Sequence, residues 1–183
     1  MTDPLIVTAR FDPASAATFQ RLRDRYFPPS VNIVPAHLTL FHHLPGTDHE
    51  AVLAALDAER PETGVVPFTT GRLRFLGRGT AVEIVADGLS AVRAAIAARW
   101  AGVLTAQDRQ SFRPHVTIVN KLSSAPAREV QRRLELEGID VRGEIEGLDL
   151  WHYRGGPWEA AGGVRWAGAD VPRFSSAAPA SST

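Results

Sequence analysis

Hydrophobic and polar positions along the chain follow two periods, and the switches between them outline the elements. Residues 5–11 form a short apolar run with β-branched members and predict a strand. Asp12-Pro13 then offers a cap with proline at the first helical position, and Phe19, Leu22 and Tyr26 recur at helical spacing. Pro28-Pro29-Ser30 stops that helix, and residues 31–35 lead into a second strand over 36–43 that Pro45-Gly46 breaks. Thr47 or Asp48 can cap a helix running to Arg60, with Val52, Leu53 and Leu56 inward. Residues 65–76 return to a two-residue period, Leu73 and Phe75 alternating with Arg72 and Arg74.

After the Gly77-Arg78-Gly79 turn the order repeats. A strand over 80–86 precedes a helix from Asp87 with Leu89, Val92, Ile96, Trp100 and Val103 at spacings of three and four. A polar loop over 105–111 leads to a strand over 112–120. Ser123 or Ser124 caps a helix with Ala127, Val130 and Leu134 on one face, and Gly138 ends it. Residues 142–151 read as a strand, Gly155-Gly156 as a turn, and 158–166 as a returning strand. Each half, about 5–76 and 80–166, is thus strand–helix–strand–helix–strand, in one bilobal unit over 1–170. Residues 171–183, rich in Ser, Ala and Pro, are expected to be disordered.

The middle strand of each half carries the same short pattern: His37-Leu38-Thr39-Leu40 and His115-Val116-Thr117-Ile118, with the histidines 78 positions apart. This suggests duplication with pseudo-twofold symmetry. Side chains alternate faces along a strand, so His37 and Thr39 point the same way, roughly 7 Å apart, while Leu38 and Leu40 face a core. If the two strands lie side by side, two His and two Thr line one groove. A neutral imidazole can take a proton from an attacking water or hydroxyl, and an imidazolium can give one to a leaving oxygen. Histidine suits both tasks, because its ordinary pKa is about 6.5. A Thr hydroxyl can donate to a non-bridging phosphate oxygen where charge grows. Either motif alone is commonplace; the matched pair is what carries the expectation.

Composition narrows the field. Of 183 residues, 44% are apolar and 22% charged, with 20 Lys plus Arg against 20 Asp plus Glu. A net charge of zero favours a small or terminal phosphate substrate over long nucleic-acid duplexes, whose binding needs many phosphate contacts. The absence of Cys excludes disulfides, thiolate metal sites and cysteine nucleophiles. No apolar run approaches the ~18 residues of a membrane span, and Met1-Thr2-Asp3-Pro4 lacks a signal peptide's regions. A cytoplasmic monomer is the default expectation.

On these motifs, together with Ser111-Phe112-Arg113-Pro114 ahead of the second and the two-part layout, the chain resembles the 2H phosphoesterase superfamily. That superfamily includes the 2′-5′ RNA ligase-like proteins and cyclic nucleotide phosphodiesterases. The resemblance covers about residues 5–166. It implies an α+β fold of two pseudo-symmetric lobes of antiparallel sheet, with outer helices around a central cleft. It implies hydrolysis of 2′,3′-cyclic phosphates or related 2′-5′ and cyclic diesters at RNA or nucleotide ends. It carries catalytic roles onto His37 and His115 and phosphate binding onto Thr39 and Thr117, with no metal and no cofactor. Where many relatives run to Phe-Leu-Gly after the first motif, this chain has Phe41-His42-His43-Leu44-Pro45-Gly46.

Five further residues are candidates for substrate contact. Phe41 and His43 share strand parity with His37, which would set Phe41 to stack on a base. Arg113 and Lys121 share parity with His115 and would neutralise a phosphate. Trp151 and Tyr153, flanking His152, would form a base-stacking wall. His42, His43 and His49 lie close in sequence but match no metal spacing, so solvated loop histidines are the expectation. Two other functions compete: a nucleotide or RNA-end binding module without turnover, and a His-rich metal protein.

Overall fold

The computed structural model describes residues 3–166. The elements run β1 (Leu5–Phe11), α1 (Pro13–Tyr26), β2 (Thr39–Leu44), α2 (His49–Ala58), β3 (Val66–Phe75), β4 (Thr80–Val85), α3 (Asp87–Arg99), β5 (His115–Val119), α4 (Ser124–Glu137), β6 (Arg142–His152) and β7 (Glu159–Arg165). The expected polar tail lies outside the described residues. Local chemistry sets the boundaries. Asp12 caps α1, its carboxylate accepting from the Ser15 amide at 2.9 Å and from the Glu144 amide at 3.0 Å, which ties α1 to β6. Asp48 caps α2 through the Ala51 amide, and Gly138 closes α4 at a φ of 72°. The third helix is shorter than its apolar spacing suggests: Trp100 is already its C-cap, and Val103 is 59% exposed instead of inward.

All strand pairs are antiparallel, in the order β2-β1-β6-β3-β4-β5, with β7 paired to β6. The strands do not sort by sequence half. β6 pairs with β1 along most of its length, while β3 pairs with β4. The two lobes, β2-β1-β6-β7 and β3-β4-β5, are therefore each completed by the last strands of the other half. They join where residues 66–69 of β3 pair with 142–145 of β6. The fold is α+β, with two lobes of antiparallel sheet and outer helices.

One face of each strand feeds the core. Leu5, Val7 and Ala9 of β1 are buried with Leu148 and Leu150 of β6, and Val82 and Ile84 of β4 with Val116 and Ile118 of β5. Phe11, Phe19 and Phe68 meet with ring centroids 5.0–6.1 Å apart and lock α1 onto the junction of the lobes. Each such fully buried side chain contributes about 1.5–3 kcal/mol of transfer free energy.

This topology leaves β2 and β5, the two motif strands, at opposite edges of the sheet path. They are nevertheless brought together. Arg23 of α1 donates to the Thr117 carbonyl of β5 at 2.9 Å and to the Val34 carbonyl ahead of β2 at 3.0 Å. The sheet must fold over for one side chain to span both edges.

Candidate active site

Both motifs are shaped by the same irregularity. On the first, Thr39 pairs with Thr8 and Phe41 with Val7; on the second, Thr117 pairs with Ala81 and Val119 with Thr80. Each strand thus carries one extra residue immediately after its Thr, a β-bulge at matching positions. The second bulge needs a side-chain-free neighbour: a Cβ on Gly79 would lie 2.0 Å from the Val119 carbonyl oxygen.

The bulges correct two expectations based on strict alternation. Phe41 does not face the groove; Leu40 and Phe41 are both turned inward, and Phe41 is 0% exposed in the hydrophobic core. His42 takes the groove side beside Thr39. Lys121 lies past the end of β5 in a left-handed conformation, φ 65°, and lines neither of the cavities described below.

The two histidines sit at the mouths of their strands, in matched environments. His37 Nδ1 lies 2.7 Å from the Pro35 carbonyl, and His115 Nδ1 lies 2.8 Å from the Arg113 carbonyl. A carbonyl only accepts, so each Nδ1 carries the proton and donates it two residues back. In the neutral ring, each Nε2 is then left with a free lone pair. Burial pushes the His37 pKa down to about 4, assisted by the positive charges of Arg23, His115 and His42 and opposed by the Pro35 hydrogen bond. Burial also lowers His115; Arg74 and His42 act in the same direction, and the Arg113 hydrogen bond and the neighbouring Glu83 carboxylate oppose them. Each histidine is therefore neutral at pH 7 before an anion arrives.

Two cavities meet at this site. The larger, about 890 Å³, is bordered by Thr39, His42, Arg74, Arg113 and His115. The smaller, about 610 Å³, is bordered by Ile6, His43, Tyr153 and Trp158. His42 and Gln107 line both. Trp158 packs against His37 with ring centroids 4.5 Å apart and lies 6.2 Å from the Trp151 ring. Trp151 is fixed in turn by donating from Nε1 to the Thr8 hydroxyl at 2.9 Å, next to Thr39 in register. Tyr153 and Arg113 thus border the cavities and Trp151 stands behind Trp158, whereas Phe41 and Lys121 do not reach the site.

A family model for the 2′-5′ RNA ligase superfamily matches residues 11–157. The chain belongs to this superfamily. Among solved structures, E. coli LigT complexed with 3′-AMP is 17% identical, with a TM-score of 0.61 over 93% of this chain and 100% of that one. E. coli LigT complexed with phosphate is 16% identical, with a TM-score of 0.55 over 90% and 97%. A further crystal structure of a phosphoesterase gives the same values, 16% and 0.55. No curated protein sequence matches. The 2H phosphoesterase resemblance read from the paired motifs therefore stands, as does the α+β bilobal fold. The chain is a phosphoesterase or ligase-type enzyme of the 2′-5′ RNA ligase-like class. Among the described residues no helix is long and apolar enough to cross a membrane.

In this member of the superfamily, several residues outside the motifs hold the cleft together. Arg23 is 3% exposed, spans the two motif segments and lies over the Phe27 ring at 4.3 Å. Arg93 of α3 mirrors it. It donates to the Leu40 carbonyl of β2 at 3.0 Å and to the Asp108 carbonyl, between the rings of Phe41 and Phe112, each 4.9 Å away. Each half's first helix thus sends an arginine to the other half's motif strand. Asp108 is 2% exposed and accepts from the His42 amide at 2.9 Å, the His43 amide at 3.0 Å and His42 Nδ1 at 3.2 Å. It covers the unpaired edge of β2 and seats His42 between the cavities. His49 turns away, to the Ala161 carbonyl and the His152 ring, so the sequence-local histidines do not converge. Nothing in the sequence marked Arg23, Arg93 or Asp108, because their partners on the motif strands lie 53 to 94 positions away. Trp158 carried only the sign of a large aromatic beside a glycine turn.

Proposed function

We propose that this chain is a phosphodiesterase hydrolysing 2′,3′-cyclic phosphates, or related 2′-5′ diesters, at nucleotide or RNA ends by two-histidine acid–base catalysis. The observation that carries the reading is the matched pair of imidazoles. Both are tautomerically fixed by a carbonyl two residues upstream, with Nε2 left free for proton transfer.

His37, which burial holds unprotonated, is assigned as the base and takes the proton of a water attacking phosphorus. His115, protonated once the substrate anion is bound and with the Glu83 carboxylate beside it, gives its Nε2 proton to the leaving ribose oxygen. One P–O bond forms, one breaks, and solvent returns the proton from His37 to His115. Thr39 and Thr117 donate to the non-bridging oxygens. The two histidines supply the proton transfers, so this step requires no metal. The aromatic cavity beside His37 suits the base, with Trp158 and Tyr153 as its walls. E. coli LigT, which shares the fold, has been crystallised with 3′-AMP and with phosphate, ligands of the class this reading calls for.

The test is hydrolysis of adenosine 2′,3′-cyclic phosphate in EDTA by the wild type and by His37→Ala and His115→Ala. Turnover should survive chelation and fall about 10²–10⁴-fold in each variant. Full activity in either variant sinks the assignment.

A further inference from the structure

Formal charge over the whole chain is balanced, yet the larger cavity gathers Arg74, Arg93, Arg109 and Arg113 around one carboxylate, Asp108. That carboxylate is already occupied by the two β2 amides and His42. Arg93 is committed to the Leu40 and Asp108 carbonyls. The other three are uncommitted: among the described residues, the side chains of Arg74, Arg109 and Arg113 form neither a salt bridge nor a hydrogen bond. For Arg74 this is costly, because its Nε is buried and has no partner. Its place in the sheet shows what it faces. Arg74 pairs with Ala81, and Ala81 with Thr117, so the three share one face, with only a methyl between the arginine and the threonine. Two strand spacings, about 10 Å, separate the Arg74 and Thr117 backbones. The guanidinium therefore stands beside the scissile position without occupying it. A volume of about 890 Å³ also exceeds what one cyclic phosphate fills.

We propose that this cavity is a subsite for a second phosphate of the substrate, with Arg74 as its inner anchor and Arg109 and Arg113 at its mouth. A guanidinium fork matches phosphate oxygens in a bidentate manner, and a concave wall carrying several like charges focuses the attraction. The preferred substrate is then a diester bearing another phosphate, either a 5′-phosphate on the same nucleoside or the next internucleotide phosphate. A bare cyclic mononucleotide would leave the arginines empty. The proposal rests on the phosphodiesterase reading for its substrate, but not for the binding site itself.

Three substrates separate the cases: adenosine 2′,3′-cyclic phosphate, its 5′-phosphorylated form, and an adenylyl dinucleotide ending in the cyclic phosphate. The wild type should favour at least one of the two-phosphate substrates about tenfold or more in kcat/KM, and the preference should shrink as NaCl rises. Whichever is favoured identifies the source of the second phosphate. Arg74→Gln and, at the exposed mouth, Arg113→Gln should each cut that ratio at least about fivefold; Arg21→Gln, on the outer face of α1, should keep it. A second arm titrates inorganic pyrophosphate into the folded His37→Ala/His115→Ala double variant by calorimetry. Saturable binding weakened by Arg74→Gln supports the subsite whether or not turnover exists. A wild-type ratio near one, or an Arg74→Gln loss equal for all three substrates, overturns it. Absence of turnover with pyrophosphate binding intact sinks the phosphodiesterase reading alone.

Discussion

The chemistry of single residues here is set by what lies behind them. His37 is held below its ordinary pKa by burial, to which Trp158 contributes, its ring tilted 48° against the imidazole with centroids 4.5 Å apart. Removing that cover should let water back in, so Trp158→Ala is expected to raise the His37 pKa toward the ordinary value. A histidine NMR titration reads this directly, and an unmoved His37 resonance would dissociate the tryptophan from the shift. The same depression links to stability. Between about pH 6.5 and 4 the unfolded chain accepts a proton that folded His37 refuses. The unfolded state therefore binds more protons in that window, and stability falls as the pH drops through it. Thermal unfolding of the wild type should show this loss, and His37→Asn should lessen it. Asp12 and Asp108, whose burial would raise them but whose hydrogen bonds hold them below the usual carboxylate range, add their own loss as the pH falls toward and through that range. Anion binding near the imidazoles acts the other way, drawing a proton onto the site before catalysis.

At the scale of elements, the bulges are the decisive feature. They reverse side-chain parity after each Thr and turn His42, in place of Phe41, into the cleft. Gly79→Val should be felt at this level, because any Cβ there collides with the Val119 carbonyl and the second bulge must open. A loss of about 1–3 kcal/mol is expected, together with reduced turnover, since Thr117 sits on the same strand. Urea unfolding measures the first; a variant as stable as the wild type would show that the bulge is not packed as described. Where periodicity is strict, in α1, α4, β1 and β4, the elements fall close to the limits it predicts. Where alternation breaks, over residues 36–43 and 112–120, a period of two cannot register the extra residue.

For the molecule as a whole, the two motif strands lie at opposite edges of the sheet path and meet only because the lobes fold together. Arg23, Arg93 and Asp108 fasten that closure. Asp108→Ala strips the cover from the His42 and His43 amides and frees the 105–111 loop that walls both cavities. It should cost on the order of 1–3 kcal/mol for the buried groups left unpaired and should raise KM more than it lowers kcat. Hydrogen exchange at the His42 and His43 amides should quicken; unchanged protection would show that Asp108 does not guard the edge. The candidate residues for the chemistry, and their repetition, are legible in the sequence alone. A short repeat names its residue types and strand face locally, and His37, Thr39, His115 and Thr117 needed no coordinates to be picked out. Everything that depends on distant partners is set by the folded chain. The exchange of β3 and β6 between halves, the arginines reaching across to opposite motifs, and the unpaired guanidinium beside Thr117 all join residues far apart in the chain. Periodicity carries no information about such contacts, because it records which face is buried and not against what.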